Sequence, residues 1–300
     1  MGLTDHLTAF AEAVGTQGPV CVVGGRTQWT VGGLPAEGCR EVRAPVGVIS
    51  HLPAEMTVRV GAGTPVDELA VVLAQAGQMV PLDPAEGERA TVGGVLAVGH
   101  SGIRRLRYGP VRDTVLEVRF VTAEGLMAKA GGPVVKNVSG FDLCRLLVGS
   151  LGTLGLLAEV VLRLQPLPAA SQWFRAEGAD PWDLYRRLYR PSSILWDGRS
   201  VWVLLEGHAE DVTSQARQVL GSSFAPVDRG PDLPRRGRLS LVPGERPSGE
   251  GWVLEVGTGT LHAAAAVAPP PLSGPVMALN RAVKARFDPG GRLNPGRSVA

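Results

Sequence analysis

Cysteine is scarce in this chain: there are three in 300 residues, at positions 21, 39 and 144, with no C-x-x-C spacing. Dispersed thiols cannot hold an internal zinc ribbon or a four-cysteine iron–sulfur cluster. An odd, sparse count also argues against a disulfide framework and fits a reducing cytosol. A surplus of charge is missing too, since 30 basic and 28 acidic residues leave a net +2. No field of one sign is available to gather nucleic acid or an anionic membrane. The densest basic cluster (Arg229, Arg235, Arg236, Arg238, Arg246) is interleaved with Pro and Gly and reads as a solvated loop. The most apolar span, 146–164, is broken by Glu159, Arg163 and three glycines. A membrane helix needs about 20 nearly uncharged residues, so no direct membrane span is expected. Asp5 and Glu12 stand where a secretory leader would carry a basic segment, so none is expected there.

Glycine is abundant, with 40 residues, roughly twice the usual share of about 7%. Leu3, Leu7, Phe10 and Val14 have helical spacing and predict an opening amphipathic helix. Residues 19–23 read as a short buried strand closed by Gly24-Gly25. Residues 56–60 alternate, with Met56, Val58 and Val60 on one face and Thr57 and Arg59 on the other. A helix follows, with Thr64 as N-cap, Pro65 at N1 and a stop at Gly77. Further strands are predicted at 115–121 and 156–164, and a short helix from Asp142. The pair Pro166 and Pro168 marks a boundary in composition. Beyond it, 171–262 alternate between strands and helices in the manner of an α+β unit of antiparallel sheet.

Four glycine clusters, at 24–25, 61–63, 93–102 and 149–155, each fall at a strand end or helix start. None is a Walker loop, and none has the G-x-G-x-x-G spacing of a Rossmann site. Backbone N–H arrays converging on one anion can nevertheless hold a diphosphate. Taken singly, each cluster is also explained as an ordinary turn.

The order of the segments adds a resemblance. VVGGRTQW (22–29), VRVGAGTPVDEL (58–69), GQMVPLDP (77–84), ATVGGVLAVGHSGIRRLRYGPVRD (90–113), VKNVSGFDL (135–143), GSLGTLGLLAEVVLRLQPLP (149–168) and FDPGGRLNPGR (287–297) occur in sequence. The chain thereby resembles the PCMH-type FAD-binding family of the vanillyl-alcohol oxidase superfamily, and within it the FAD-binding subunits of bacterial glycolate oxidases. The resemblance implies an α+β fold with a two-lobed FAD-binding domain over 1–168, a reduced cap domain over 169–268, and a C-terminal helix and tail over 269–300 that return to the first domain. It implies FAD as cofactor, lined by Gly24, Gly25, Arg26, Thr27, Thr91, Gly93, Gly94, Gly99, Ser101, Gly102, Tyr108, Gly109, Gly152, Thr153, Gly155, Val160 and Asn294. Arg26 stands where the family carries a small residue. At positive φ it would cost stability, unless its guanidinium meets a phosphate. Members with covalently attached flavin carry a His in the first loop, and residues 24–33 have none, so the flavin is expected to be non-covalent.

Related 2-hydroxy-acid dehydrogenases carry a motif of the form H-G-x-x-x-G-E-H-G, and this chain has nothing like it. The residues offered for catalysis are Lys136, beside Asn137 in a loop, and Arg238, which could receive a carboxylate. Each has a plainer reading as a surface lysine and a rim ion pair. His262 reads as a core or loop histidine. The expected function is that of an FAD-dependent oxidoreductase, as the FAD-binding subunit of a 2-hydroxy-acid (glycolate-type) dehydrogenase complex. Its partners would be a second flavoprotein subunit and an iron–sulfur subunit. The location would be cytoplasmic, with the inner membrane reached only through partners. The alternatives are a stand-alone FAD oxidase or dehydrogenase of a small alcohol or sugar, and a non-catalytic scaffold subunit with a vestigial flavin site.

Overall fold

The computed structural model describes residues 5–132, 142–268 and 270–298. The chain is α+β, and its larger sheets are antiparallel. It divides into two compact units: Met1–Gly102, Pro110–Leu167 and Pro271–Ala300 form one, and Ile103–Gly109 with Pro168–Pro270 the other. The segment Ile103–Gly109 thus groups with the second unit, although it lies inside the span of the first.

The first unit opens with helix α1 (Asp5–Val14), which buries Leu7, Phe10 and Val14 as their spacing requires. Strands β1 (Val20–Val22) and β2 (Arg40–Val42) pair in parallel. Strands β3 (Val48–Leu52), β4 (Thr57–Gly61), β6 (Val115–Val121), β7 (Met127–Gly131) and β8 (Leu156–Arg163) make a five-stranded sheet in the order β3-β4-β8-β6-β7. The short strands β5 (Gln78–Met79) and β9 (Gln165–Pro166) pair separately. Helices α2 (Val66–Ala74), α3 (Val92–Val98) and α5 (Leu143–Leu147) contribute the buried leucines Leu69, Leu73, Leu96 and Leu147 to the core of this unit.

Alternation along β4 puts Val58 and Val60 in the core, at 1% and 0% exposure. The opposite face of the sheet carries charge. There Arg59 donates to Glu117 at 2.7 Å, and Lys129 lies 3.3 Å from the same carboxylate. His6 of α1 meets Glu159 at 2.7 Å. Burial pushes the Glu117 carboxyl up, but the hydrogen bonds and charges of Arg59 and Lys129 outweigh it and hold the group below its ordinary range.

Helix α2 begins differently from expectation. Pro65 occupies the N-cap position and Val66 the first helical residue. The Thr64 hydroxyl instead donates to Gly61 O at 2.7 Å and accepts from Gly47 N at 2.8 Å, so it ties two loops together. Asp142 does cap α5, accepting from Arg145 N at 3.0 Å.

The C-terminal helix α8 (Gly274–Phe287) leads into a tail that lies alongside β1. Val20 N donates to Arg292 O at 2.9 Å and Asn294 N to Val20 O at 2.8 Å. Asp288 accepts from the amides of Arg292 and Leu293 and from Lys284 Nζ. The buried guanidinium of Arg292 donates to the carbonyls of Gly18, Ala123, Val14 and Gln17.

The second unit contains a seven-stranded sheet in the order β13-β10-β12-β11-β15-β16-β14. Its strands are β10 (Ala170–Glu177), β11 (Ser193–Trp196), β12 (Ser200–Gly207), β13 (Ala225–Val227), β14 (Gly237–Ser240), β15 (Trp252–Glu255) and β16 (Thr260–Ala263). Helices α6 (Pro181–Arg187) and α7 (Ala209–Gln215) supply Leu184 and Val212 to a core with Phe174, Val203 and Leu254. The short helix α4 (Arg105–Tyr108) belongs to this unit as well. Trp182, Trp196 and Trp252 make a chain of edge-to-face contacts with centroids 5.2 and 5.1 Å apart. Trp182 therefore packs against this core, and Arg246 covers its ring at 4.1 Å.

Removing the Arg292 guanidinium leaves several carbonyls without their donor. Arg292→Met is expected to lower the unfolding free energy of the apo protein by about 2–4 kcal/mol. Urea denaturation reads this, and a midpoint equal to that of the wild type would contradict it.

Candidate functional site

The first unit holds an open cleft with an internal volume of about 110 Å³. One wall is the loop that leaves β1, from Val22 to Trp29. The others are the turn after β4 (Ala62, Gly63), Thr91 and one face of α3 (Gly93, Gly94, Val95, Ala97, Val98), the turn before β8 (Ser150 to Gly152), and Asn294 and Arg297 of the tail. Much of this surface is backbone, because the residues that line it are so often Gly and Ala.

Among the described residues, the amides of Gly24, Gly25, Arg26, Thr27 and Gln28 make no hydrogen bond. A run of free amides on a cleft wall is an anion-binding concavity. The loop packs closely on residues 89–90, where a Cβ at Gly25 would sit on the carbonyl oxygen of Arg89. Two buried side-chain atoms, Gln28 Oε1 and Asn294 Oδ1, are likewise without a hydrogen-bond partner among the described residues. Both residues line the cleft. Buried polar atoms are normally paired, so these two point to a ligand that supplies donors. Free amides for a diphosphate, apolar walls of Val95, Leu156 and Leu157, and orphaned acceptors together fit FAD.

Asn294 holds the tail against the turn before β8 by donating from Nδ2 to Leu151 O at 2.7 Å. Its φ of 43° is the left-handed conformation that asparagine tolerates. Arg26 also has positive φ, at 58°, where an L-residue costs about 1–2 kcal/mol. Its Nη2 donates to both carboxylate oxygens of Glu41, each at 2.6 Å.

Of the residues expected around the cofactor, the cleft brings together Gly24, Gly25, Arg26, Thr27, Thr91, Gly93, Gly94, Gly152 and Asn294. The others are not among the residues that line this cleft. Gly99 ends α3 with φ 73°. Ser101 is buried and accepts from Val111 N at 3.0 Å. Gly102 lies against Asp83. Thr153 donates to Ser150 O at 2.7 Å. Gly155 is pressed against the Phe120 ring. Val160 is fully buried in β8, paired with Val60 and Val118. Tyr108 and Gly109 are in the second unit, where burial pushes the Tyr108 hydroxyl up. Lys136 lies outside the described residues.

Arg238 is on β14, opposite His262 of β16. His262 Nε2 lies 2.6 Å from Glu255 Oε1, and both residues are buried. Burial lowers the Arg238 guanidinium, the Glu255 charge opposes this, and Arg105 adds to it. Among the residues not anticipated in the cleft are Gln28, Trp29, Ser150, Leu151 and Arg297. Ala62 and Gly63 belong to a glycine cluster visible in the sequence. Arg297 closes the FDPGGRLNPGR segment but was not named with Asn294, because it reaches the first loop from the far end of the chain.

Comparison with known proteins agrees with this geometry. A family model described as an FAD binding domain matches residues 4–131. The glycolate oxidase subunit GlcE of Escherichia coli (strain K12) is 31% identical over 335 aligned residues, covering 96% of this chain and 95% of that protein. A D-lactate dehydrogenase of Archaeoglobus fulgidus is 36% identical, over 49% of this chain and 33% of its own length. The glycolate oxidase subunit GlcD of Bacillus subtilis (strain 168) is 41% identical over 31% of this chain and 20% of its own length. Among solved structures, an alkyldihydroxyacetonephosphate synthase superposes with a TM-score of 0.68 at 15% identity, covering 96% of this chain and 73% of that one. That last likeness is one of fold.

Two glycines separate cofactor approach from chain packing. A Cβ at Gly94 would meet only the Thr91 hydroxyl, at 3.0 Å, and would otherwise enter the cleft. Gly94→Val should leave the apo melting temperature within a few degrees of the wild type and weaken FAD binding at least about tenfold, or about 1.4 kcal/mol. At Gly102 a Cβ would run into Asp83, and Gly102→Val should instead cost the apo protein about 1–3 kcal/mol. Thermal melts and FAD titrations check both. The reverse pattern would show that Gly94 is needed only to turn the chain.

Proposed function

Since the chain belongs to the PCMH-type FAD-binding family and is an FAD-dependent oxidoreductase, we propose that it serves as the FAD-binding subunit of a 2-hydroxy-acid dehydrogenase complex of the glycolate type. The observation that carries this reading is the similarity to GlcE, which runs through nearly the whole of both chains rather than through the FAD-binding half alone. FAD, when bound, supplies a two-electron acceptor for the hydride equivalent of the substrate. The chain's own part is to bind the diphosphate on the free amides of 24–28, to present hydrogen-bond acceptors from Gln28 and Asn294, and to cover the ligand with the apolar walls of the cleft.

The electrons must then leave. The three cysteines are all free, at positions 21, 39 and 144, and have no cluster-ligand spacing. No group of His, Cys, Asp and Glu able to hold a metal occurs among the described residues. Among them, too, no helix is long and apolar enough to cross a membrane. The sequence also lacks the histidine-rich motif of the related dehydrogenases. A second flavoprotein subunit that carries the substrate chemistry and an iron–sulfur subunit that takes the electrons onward supply what is missing. The family's covalent anchor, a histidine in the first loop, has no counterpart in residues 24–33, which supports a non-covalent flavin.

Two measurements test the reading. Purified protein should be yellow, and acid precipitation should leave FAD in the supernatant; colour that stays with the pellet means a covalent link. Dye-linked oxidation of glycolate and D-lactate should be weak for the isolated chain and rise at least about tenfold when the catalytic flavoprotein and iron–sulfur subunits are co-expressed and co-purify. Full turnover by the chain alone, unchanged by partners, would favour a stand-alone enzyme.

A further inference from the structure

Two guanidinium groups meet at one aromatic ring on the cleft wall. Arg26 Cζ lies 4.9 Å from the Trp29 ring centroid, and Arg297 Cζ lies 4.7 Å from the same ring. All three residues line the cleft, and these arginines are the only charged residues that do so among the described residues. Gathering two like charges over one indole is unfavourable, and among the described residues Glu41 offsets only that of Arg26. The two cations are held differently. Arg297 is fixed, donating to Trp29 O at 2.9 Å and to Val31 O at 2.8 Å. Burial pushes its guanidinium below the ordinary arginine range, so it is an incompletely solvated cation. Arg26 is exposed and is held by Glu41, itself exposed and outside the cleft lining. Exposed ion pairs of this kind are weak and readily exchanged. Arg26 also occupies a left-handed backbone conformation at φ 58°, which a glycine would adopt without strain. A strained, long, cationic residue in a loop of free amides calls for a compensating role.

We propose that Arg26, Trp29 and Arg297 form a diphosphate clamp specific to the dinucleotide form of the flavin. Arg297 is its fixed donor, Trp29 the platform that holds both guanidiniums, and Arg26 the mobile donor that exchanges Glu41 for a phosphate oxygen. The inference rests on FAD binding in this cleft and adds to it the side chains that select the diphosphate. Arg–phosphate contacts are charge-assisted and bidentate, so the clamp supplements the neutral amides of 24–28.

The test compares ligands that differ in phosphate content. Apo protein is titrated with FAD, ADP and riboflavin, by flavin fluorescence and calorimetry, at low and at high salt. Arg26→Gly removes the cation and relieves the backbone, so its apo melting temperature should be equal to or above that of the wild type. Its FAD and ADP dissociation constants should each rise about tenfold or more, and its riboflavin affinity should not change. The loss of FAD affinity on adding salt should also be smaller than in the wild type. Glu41→Gln frees Arg26, and FAD should bind a few-fold tighter at low salt. Equal losses for riboflavin and FAD in Arg26→Gly would overturn the clamp in favour of a packing role. Unchanged FAD and ADP binding would overturn it outright, and unchanged or weaker FAD binding in Glu41→Gln would overturn the exchange with Glu41. Wild-type protein that takes up neither FAD nor ADP would instead overturn the cofactor reading on which the clamp rests.

Discussion

The cleft depends on backbone amides that the fold leaves unpaired. Residues 24–28 are half-buried to exposed and find no acceptor among the described residues, and the position of this stretch is fixed by what flanks it. Three elements hold it. Residues 89–90 press against Gly25, with Arg89 donating back to Gly25 O at 3.2 Å. Strand β2 takes the Val23 amide at 2.9 Å and ends the ladder there. The C-terminal tail fixes the far side, through Ser298 N to Gly32 O at 2.8 Å, Ala36 N to Pro295 O at 2.7 Å, and the Arg297 side chain. With both flanks anchored, the amides between them keep their direction without a ligand. This is preorganisation, which lowers the ordering cost that binding has to offset.

The tail is therefore part of the site, although it lies almost 270 residues from the loop it supports. Arg292 and Asp288 carry the load by satisfying carbonyls and amides around the end of α1 and the turn after α8. The chain of causes runs from a buried guanidinium, to the position of a tail strand, to Asn294 and Arg297 on the cleft wall. The second unit also has a sheet with one apolar and one charged face. One face of its sheet carries an apolar core with α6 and α7, while the other carries the pairs Arg104–Glu206 and His262–Glu255. Buried, charge-bearing sheet surface of this kind is expensive and is commonly retained for function.

Much of the first unit was legible in the sequence because its signals are local. The spacing of Leu7, Phe10 and Val14, the alternation through Val58 and Val60, and the glycine clusters at 24–25 and 93–94 each describe what the backbone does within a few residues. Thr64 reads as an N-cap by the same local logic, but its hydroxyl is drawn off by Gly47 and Gly61, a tertiary contact that no window around residue 64 contains. Arg26 is a sharper case. The sequence posed the choice between strain and phosphate contact, and the left-handed φ settles that the strain is present. Trp29, Arg297 and the pair Glu255–His262 were not legible as sites. The first two meet only when the tail folds back, and the third needs the register of β15 against β16.

Hydrogen–deuterium exchange at the amides of residues 24–28, in apo and FAD-saturated protein, tests the central claim most directly. Free amides on the cleft wall should exchange quickly in the apo protein and become protected when FAD binds, while the amides of β4 and β8, already paired in the sheet, change little. Protection already present without FAD, or exchange at 24–28 unaltered by saturating FAD, would contradict the account.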